Sequence, residues 1–208
     1  MGAAIDLIAV AMRDGGPVMW PIALCSFLVV VVTLRKALQW VFHRLAVRAG
    51  AEGWENVLRT LRDEGREAAA ARAAQATSPY AAVLAAALGR ADQPFGEALE
   101  AEARGLVRRL ARGLGVLDTI VTLAPMLGIL GTVTGIIGSF TALGEMGTDN
   151  PTAVAGGIAE ALYTTAAGLI VSICALIPLN LGRVCHKALV RDLEGAMTEA
   201  ERAAEKAP

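Results

Sequence analysis

The chain has 208 residues, of which 55% are hydrophobic, and its mean hydropathy is +0.52. This is too apolar for an ordinary soluble domain, yet the charges are clustered rather than missing, so the composition predicts an integral membrane protein with a soluble part. The net charge of -1 and an aromatic content of 4% give no support to nucleic-acid binding, which we set aside.

The amino-terminal residues 1–16 mix aliphatic and charged side chains and predict a short amphipathic segment at the membrane surface. A Gly-Gly-Pro break separates this segment from residues 17–40, the first predicted transmembrane helix. Arg35, Lys36 and Trp40 suit the membrane interface at its end.

Residues 41–113 are polar and rich in Ala, Arg and Glu, which predicts a small helical domain in the cytoplasm. The segments with the clearest helical composition are Trp54 to Gln75 and Phe95 to Arg112, and Pro79 is predicted to begin an Ala- and Leu-rich helix that runs to Gly89. Their charged residues are interpreted as a solvated helix surface with local ion pairs. Nothing in this domain resembles a catalytic site.

Residues 114–143 form the second predicted transmembrane helix. Four of its glycines share about 80° of helix surface and predict close helix packing. They are Gly128, Gly131, Gly135 and Gly138. Pro125 removes one backbone hydrogen bond and is expected to bend this helix.

A short turn at residues 144–151 leads into the third predicted transmembrane helix, residues 152–181. Glu160 is the one charged residue of that helix. An ionised carboxylate at the centre of a membrane costs about 2.5 to 3.5 kcal/mol on insertion scales, so Glu160 should face protein or water, or be protonated. A titratable group in a nearly dry place is what proton movement needs.

Residues 182–208 are charged and are expected to extend the third helix into solvent. Of the 19 Lys and Arg residues, 13 lie from Arg35 to Arg112, five lie from Arg183 onward, and one precedes the first span. The excess of positive charge on cytoplasmic loops then predicts a periplasmic amino terminus and a cytoplasmic carboxyl terminus.

Two motifs resemble the ExbB/TolQ/MotA proton-channel family, and its three-span ExbB/TolQ branch in particular. The first is LAPMLGILGTVTGI, from Leu123 to Ile136. The second is GIAEAL, from Gly157 to Leu162, followed by Thr165 and Gly168. A weaker similarity, GGPVMWP, precedes the first span, so the resemblance covers most of the chain outside the central domain.

The resemblance implies an inner-membrane homopentamer around a channel lined by the second and third spans. It also implies a single-span ExbD- or TolR-like partner, whose movement drives a TonB- or TolA-like protein. The positions that match the family's proton pathway are Thr132, Glu160 and Thr165, and no cofactor is implied. Cys174 stands where the family usually has a proline, and here the proline is Pro178.

Three further interpretations follow from the residues themselves. Asp118 lies near the cytoplasmic end of the second span and is a possible proton exit. His43 and His186 are too far apart in sequence, and too poorly accompanied by acids or cysteines, to predict a metal site. No nucleophile–base pair is visible, so an enzyme is disfavoured. The alternatives kept open are a TolQ-like role in envelope maintenance and a membrane scaffold that conducts no protons.

Overall fold

A computed structural model of the chain describes residues 16–90, 92–146 and 151–207, and within these ranges the regular structure is entirely α-helical. The helices are α1 (Met19–Ala49), α2 (Ala51–Asp63), α3 (Arg66–Gln75), α4 (Pro79–Leu88), α5 (Phe95–Ala111), α6 (Leu114–Met146) and α7 (Pro151–Glu205). Helices α1, α6 and α7 are long and apolar enough to cross a membrane. The predicted all-α membrane protein is therefore confirmed.

Parts of two predicted segments lie outside the described residues. Of the amino-terminal amphipathic segment, the structure describes only Gly16. Of the predicted turn between the second and third spans, residues 147–150 lie outside the described ranges. The helix before the gap ends at Met146 and the helix after it begins at Pro151.

The chain divides into two compact units, which α1 and α7 both enter. The apolar unit comprises the described residues of 1–34 and 113–181, and the polar unit comprises those of 35–112 and 182–208. Each unit has its own buried cluster of hydrophobic side chains.

The apolar unit is a three-helix bundle of α1, α6 and α7. In its buried core lie Met19, Ile22, Cys25, Val29, Leu117, Ile120, Ala124, Val171, Ala175 and Leu179. Helices α6 and α7 run antiparallel, because contacts move toward the start of α7 as they move toward the end of α6: Val121 meets Ser172, whereas Gly135 meets Gly157. This places the middle of α6 beside the part of α7 that carries Glu160.

The polar unit packs α2 to α5 around a core rich in Ala and Leu. The sequence predicts one helix from Trp54 to Gln75, but the structure divides it into α2 and α3 at Gly65. Gly65 has φ of +86°, a left-handed conformation that favours glycine and interrupts a right-handed helix. Pro79 begins α4 as expected, and the Ser78 hydroxyl caps that helix by accepting a hydrogen bond from the Tyr80 backbone N–H at 3.3 Å.

The carboxyl-terminal tail differs from its prediction. The sequence predicts an extension of the third helix into solvent, whereas the last turns of α7 bury one face in the core of the polar unit. The buried residues of that face are Leu193, Ala196, Met197, Ala200 and Ala203. They recur at the three- and four-residue spacing of one helix face, so the tail is amphipathic and is stabilised by packing.

Candidate functional site

Glu160 lies in the third turn of α7 and is half-buried. Its carboxylate packs against Gly16, the residue just before the chain turns into α1. A Cβ atom added at Gly16 would collide with Oε1 of Glu160 and would lie 2.9 Å from its Cδ. The carboxylate therefore occupies the space that any larger residue at position 16 would fill.

The two threonines predicted beside Glu160 make different hydrogen bonds. Thr165 donates from Oγ1 to the backbone oxygen of Gly128 on α6, at 2.9 Å. Thr132 donates to Ile129 O of its own helix, at 2.6 Å. Among the described residues, no hydrogen bond joins either threonine to the Glu160 carboxylate. The structure thus places Thr165 at the contact between α6 and α7, and Thr132 on the half-buried surface of α6.

Glycines of α6 allow α7 to approach closely. A Cβ at Gly131 would collide with the Thr164 side chain, and one at Gly128 would lie 3.0 Å from Thr164 O and from Thr165 Cα. A Cβ at Gly135 would lie 2.9 Å from Gly157 O. We call this contact the glycine seam, formed by Gly128, Gly131 and Gly135 against α7.

Gly138 was predicted to share the packing role of these glycines, and the structure does not place it in the seam. It is exposed, and an added Cβ would meet none of the described residues within 4 Å. Ser139, the next residue along α6, is buried and lies against Gly157, so the helix face that meets α7 continues through Ser139 rather than Gly138. The spacing of the glycines indicated a shared helix face, but it did not indicate which side of that face α7 covers.

The polar groups of the seam include residues that the sequence motifs did not single out. Thr164 is buried and donates to Ala161 O at 2.8 Å, and its methyl-bearing side chain fills the space beside Gly131. Ser172 donates across the helix pair to Val121 O at 2.7 Å. A helical wheel of α7 could have identified Thr164 and Ser172, because both lie on the same face of small and polar residues as Glu160.

The two remaining predicted positions lie elsewhere on α6. Pro125 is half-buried inside this helix, next to the buried Ala124. Asp118 is exposed in the second turn. Among the described contacts of Gly16 and of the glycine seam, neither Pro125 nor Asp118 touches the Glu160 carboxylate.

A cavity of about 250 Å³ lies in the polar unit and contains none of the predicted site residues. Its lining includes Trp40, His43, Tyr80, Leu110 and Asp192. Burial raises the pKa of the Tyr80 hydroxyl, and the negative charge of Asp192 raises it further. His43 and Tyr80 are in edge-to-face contact, with ring centroids 6.4 Å apart. This is a mixed apolar and charged cavity.

The fold defines an all-α membrane protein with three candidate membrane spans. The third of these spans carries one carboxylate, which lies against the residue that precedes the first span. The model of the MotA/TolQ/ExbB proton channel family matches residues 59–195, more than half of the chain. The chain therefore belongs to this family, and the predicted resemblance is confirmed.

Similar proteins support the ExbB branch. The biopolymer transport protein ExbB-like 1 of Synechocystis sp. is 37% identical over 78% of this chain and 65% of its own length. ExbB-like 3 of the same organism is 32% identical over 87% of this chain and 89% of its own length. The biopolymer transport protein ExbB of Salmonella typhimurium is 42% identical over 40% of this chain and 34% of its own length. The chain thus spans just under two thirds of the first relative and one third of the last.

Proposed function

We propose that this chain is the proton-channel subunit of an ExbB-like motor in the bacterial inner membrane. The observation that carries the proposal is Glu160, the one charged residue in the third span, with its half-buried carboxylate held against protein. Intramembrane carboxylates are costly, and they mark ion and proton pathways more often than lipid-facing surfaces. Family membership and the relatives named as biopolymer transport proteins support the same role.

The proposed cycle couples the charge of one side chain to the position of a partner. A proton enters from the periplasm, neutralises Glu160 or an acidic residue of the partner, and leaves to the cytoplasm. Neutralising a charge in a low-dielectric site removes a large desolvation cost, which changes the arrangement that the partner prefers. Thr132 and Thr165 are proposed members of the same path, and Asp118 is a proposed exit.

The proposed assembly follows the family. Five copies surround a single-span ExbD- or TolR-like protein, which acts on a TonB- or TolA-like protein that reaches the outer membrane. The amino terminus is periplasmic, and the polar unit and carboxyl terminus are cytoplasmic, in agreement with the distribution of Lys and Arg. Which of the two systems the chain serves is decided by the protein that co-purifies with it.

A non-conducting scaffold is the second candidate function. The glycine seam favours it, since small residues and helix-to-helix hydrogen bonds are what holds membrane helices together without any transport. The two functions differ in one respect: a scaffold needs the shape of residue 160, whereas a channel needs its ionisable proton.

Glu160→Gln separates these functions because glutamine keeps the shape of the side chain and cannot titrate. The complex is purified through a tag on this chain, reconstituted in vesicles, and tested for proton uptake with a pH-sensitive dye under an imposed potential. We expect assembly to remain and proton uptake to be abolished. The matched control is Glu199→Gln, which changes an exposed residue of the same helix and should leave uptake unchanged. Full uptake by the Glu160 variant would contradict the channel and support the scaffold.

A further inference from the structure

We propose that Gly16 is a positioning residue for Glu160. The missing side chain at position 16 creates the space in which the Glu160 carboxylate lies, at the start of α1. The importance of this contact for proton transfer rests on the proposed function. The contact itself is a separate claim, since it concerns two residues that are 144 positions apart in the chain.

The contact involves the whole end of the glutamate side chain. A Cβ at Gly16 would overlap Oε1, would lie 2.9 Å from Cδ and would lie 3.6 Å from Cγ. Real Cβ atoms essentially never approach another heavy atom within 3.0 Å, so a larger residue would move the carboxylate out of its place, and because these atoms are the end of a flexible side chain the movement itself costs little. Such a shift matters because proton transfer depends on the distance between the exchanging groups.

The surroundings suit a carboxylate. Gly16 has φ of +63° and accepts the first hydrogen bond of the turn into α1, from Met19 N–H at 3.2 Å. The amino end of a helix carries partial positive charge from its unpaired N–H groups, and this favours a negative group nearby. With glycine at position 16 the carboxylate can lie beside the turn that leads into α1, whereas a side chain there would displace it.

The backbone conformation at position 16 also favours glycine, and this preference must be distinguished from the steric contact with Glu160. A residue other than glycine is strained at φ of +63°, whatever its neighbours are. The strain is the same whether or not a carboxylate is present at position 160. The collision disappears when the glutamate side chain is removed, so a double-mutant cycle distinguishes the two effects.

The cycle combines Gly16→Ala with Glu160→Ala and measures the melting midpoint of the assembled protein in detergent. Backbone strain should lower the midpoint in both chains, and we expect Gly16→Ala to lower it by a small further amount in the natural chain, where the carboxylate must also move. Equal shifts in both chains would overturn the proposal, because backbone strain alone would then explain the glycine. Gly115→Ala is the control, since an added Cβ there meets nothing within 4 Å, and its shift should be the same in both chains.

A second readout follows the carboxylate itself. A hydrophobic carbodiimide modifies protonated carboxyl groups in membranes, and the extent of labelling at Glu160 is measured by mass spectrometry. Displacement of the carboxylate by Gly16→Ala should raise the labelling rate about threefold, which corresponds to about 0.6 kcal/mol. The Glu160→Gln chain, which has no carboxyl group to label at this position, is the control. An unchanged rate at Glu160 would overturn the positioning role.

If Gly16→Ala does not assemble, proximity is tested by a disulfide in a chain whose native cysteines, Cys25, Cys174 and Cys185, are replaced by serine. Gly16→Cys with Glu160→Cys should form a cross-link within one chain. Gly115→Cys with Glu160→Cys should form none, because Gly115 lies about 30 Å along α6 from the Gly135 contact with α7. Absence of the first cross-link would overturn the proposal.

These results are independent of the proposed function. Full proton uptake by Glu160→Gln would reject the channel but would leave the melting cycle and the cross-link unaffected. Equal melting shifts would reject the positioning role of Gly16 but would leave Glu160 as the proton carrier.

Discussion

The two units of the chain differ in how their helices meet and in the residues that they expose. In the apolar unit the contact between α6 and α7 is made by Gly, Ala, Ser and Thr, while large apolar side chains are exposed, such as Phe140 at 67%. In the polar unit Leu61, Leu84 and Leu99 are fully buried, and the charged residues cover the outside. The exposed apolar side chains of the first unit would be unfavourable in water, and the exposed charges of the second would be unfavourable in a membrane.

The difference shows which force holds each unit together. Leucine packing stabilises the polar unit because it removes apolar surface from water. In a membrane this driving force is missing, since lipid is as apolar as leucine, so close approach and hydrogen bonds between helices take its place. The exposed apolar side chains of α6 and α7 are therefore expected to face lipid or other helices of the assembly.

The largest loss of stability is expected from a side chain that is added to the apolar unit where it would collide with backbone atoms. A Cβ at Gly168 would lie 2.5 Å from Ala124 O and 3.1 Å from Gly128 Cα, and neither atom can move without moving α6. Gly168→Leu should therefore separate the helices, at a cost at or above the usual overpacking range of about 1 to 3 kcal/mol. Loss of protease resistance of the membrane-inserted chain is the measurement.

The control for this substitution is Gly138→Leu, which adds the same side chain to an exposed position of α6. It should leave protease resistance unchanged. If both variants unfold, the seam is not the reason that glycine is needed at position 168. If neither does, the close approach of α6 and α7 is not essential to the fold.

A loss of stability of at most comparable size is expected when leucine is replaced by alanine once in each unit. Leu84→Ala removes a fully buried side chain from the polar unit and should cost about 2 to 5 kcal/mol. Leu162→Ala removes a side chain that is 64% exposed in the apolar unit, so it leaves no cavity and should cost little in a membrane. Thermal unfolding in lipid nanodiscs measures both. Equal losses would show that Leu162 packs against protein in the assembly.

Much of the fold could be predicted from the sequence, because long apolar runs and proline or glycine breaks have direct structural consequences. The three spans and the start of α4 at Pro79 are of this kind. The buried face of the tail was missed, since its alanines are compatible with either solvent or a core, and only tertiary packing decides between them. The importance of Glu160 was visible as an isolated charge in an apolar run.

The geometry of the site was less accessible to prediction. Gly16 lies far from Glu160 in the chain, and its sequence neighbours indicate only a break before the first span. Two motif threonines looked alike, yet one bonds to the neighbouring helix and the other to its own helix. Such differences depend on the rotation and spacing of packed helices, which periodicity does not determine.

The smallest predicted effect compares those two threonines. Thr165→Val removes a hydrogen bond to Gly128 O on α6 and should lower stability by about 0.6 kcal/mol, the typical value for such bonds in membranes. Thr132→Val removes only a bond within α6 and should leave stability nearly unchanged. Unfolding in nanodiscs and proton uptake in vesicles are measured on both variants. A loss of uptake in Thr132→Val without a loss of stability would assign Thr132 to the proton path, whereas normal uptake would limit that path to Glu160 and its neighbours on α7.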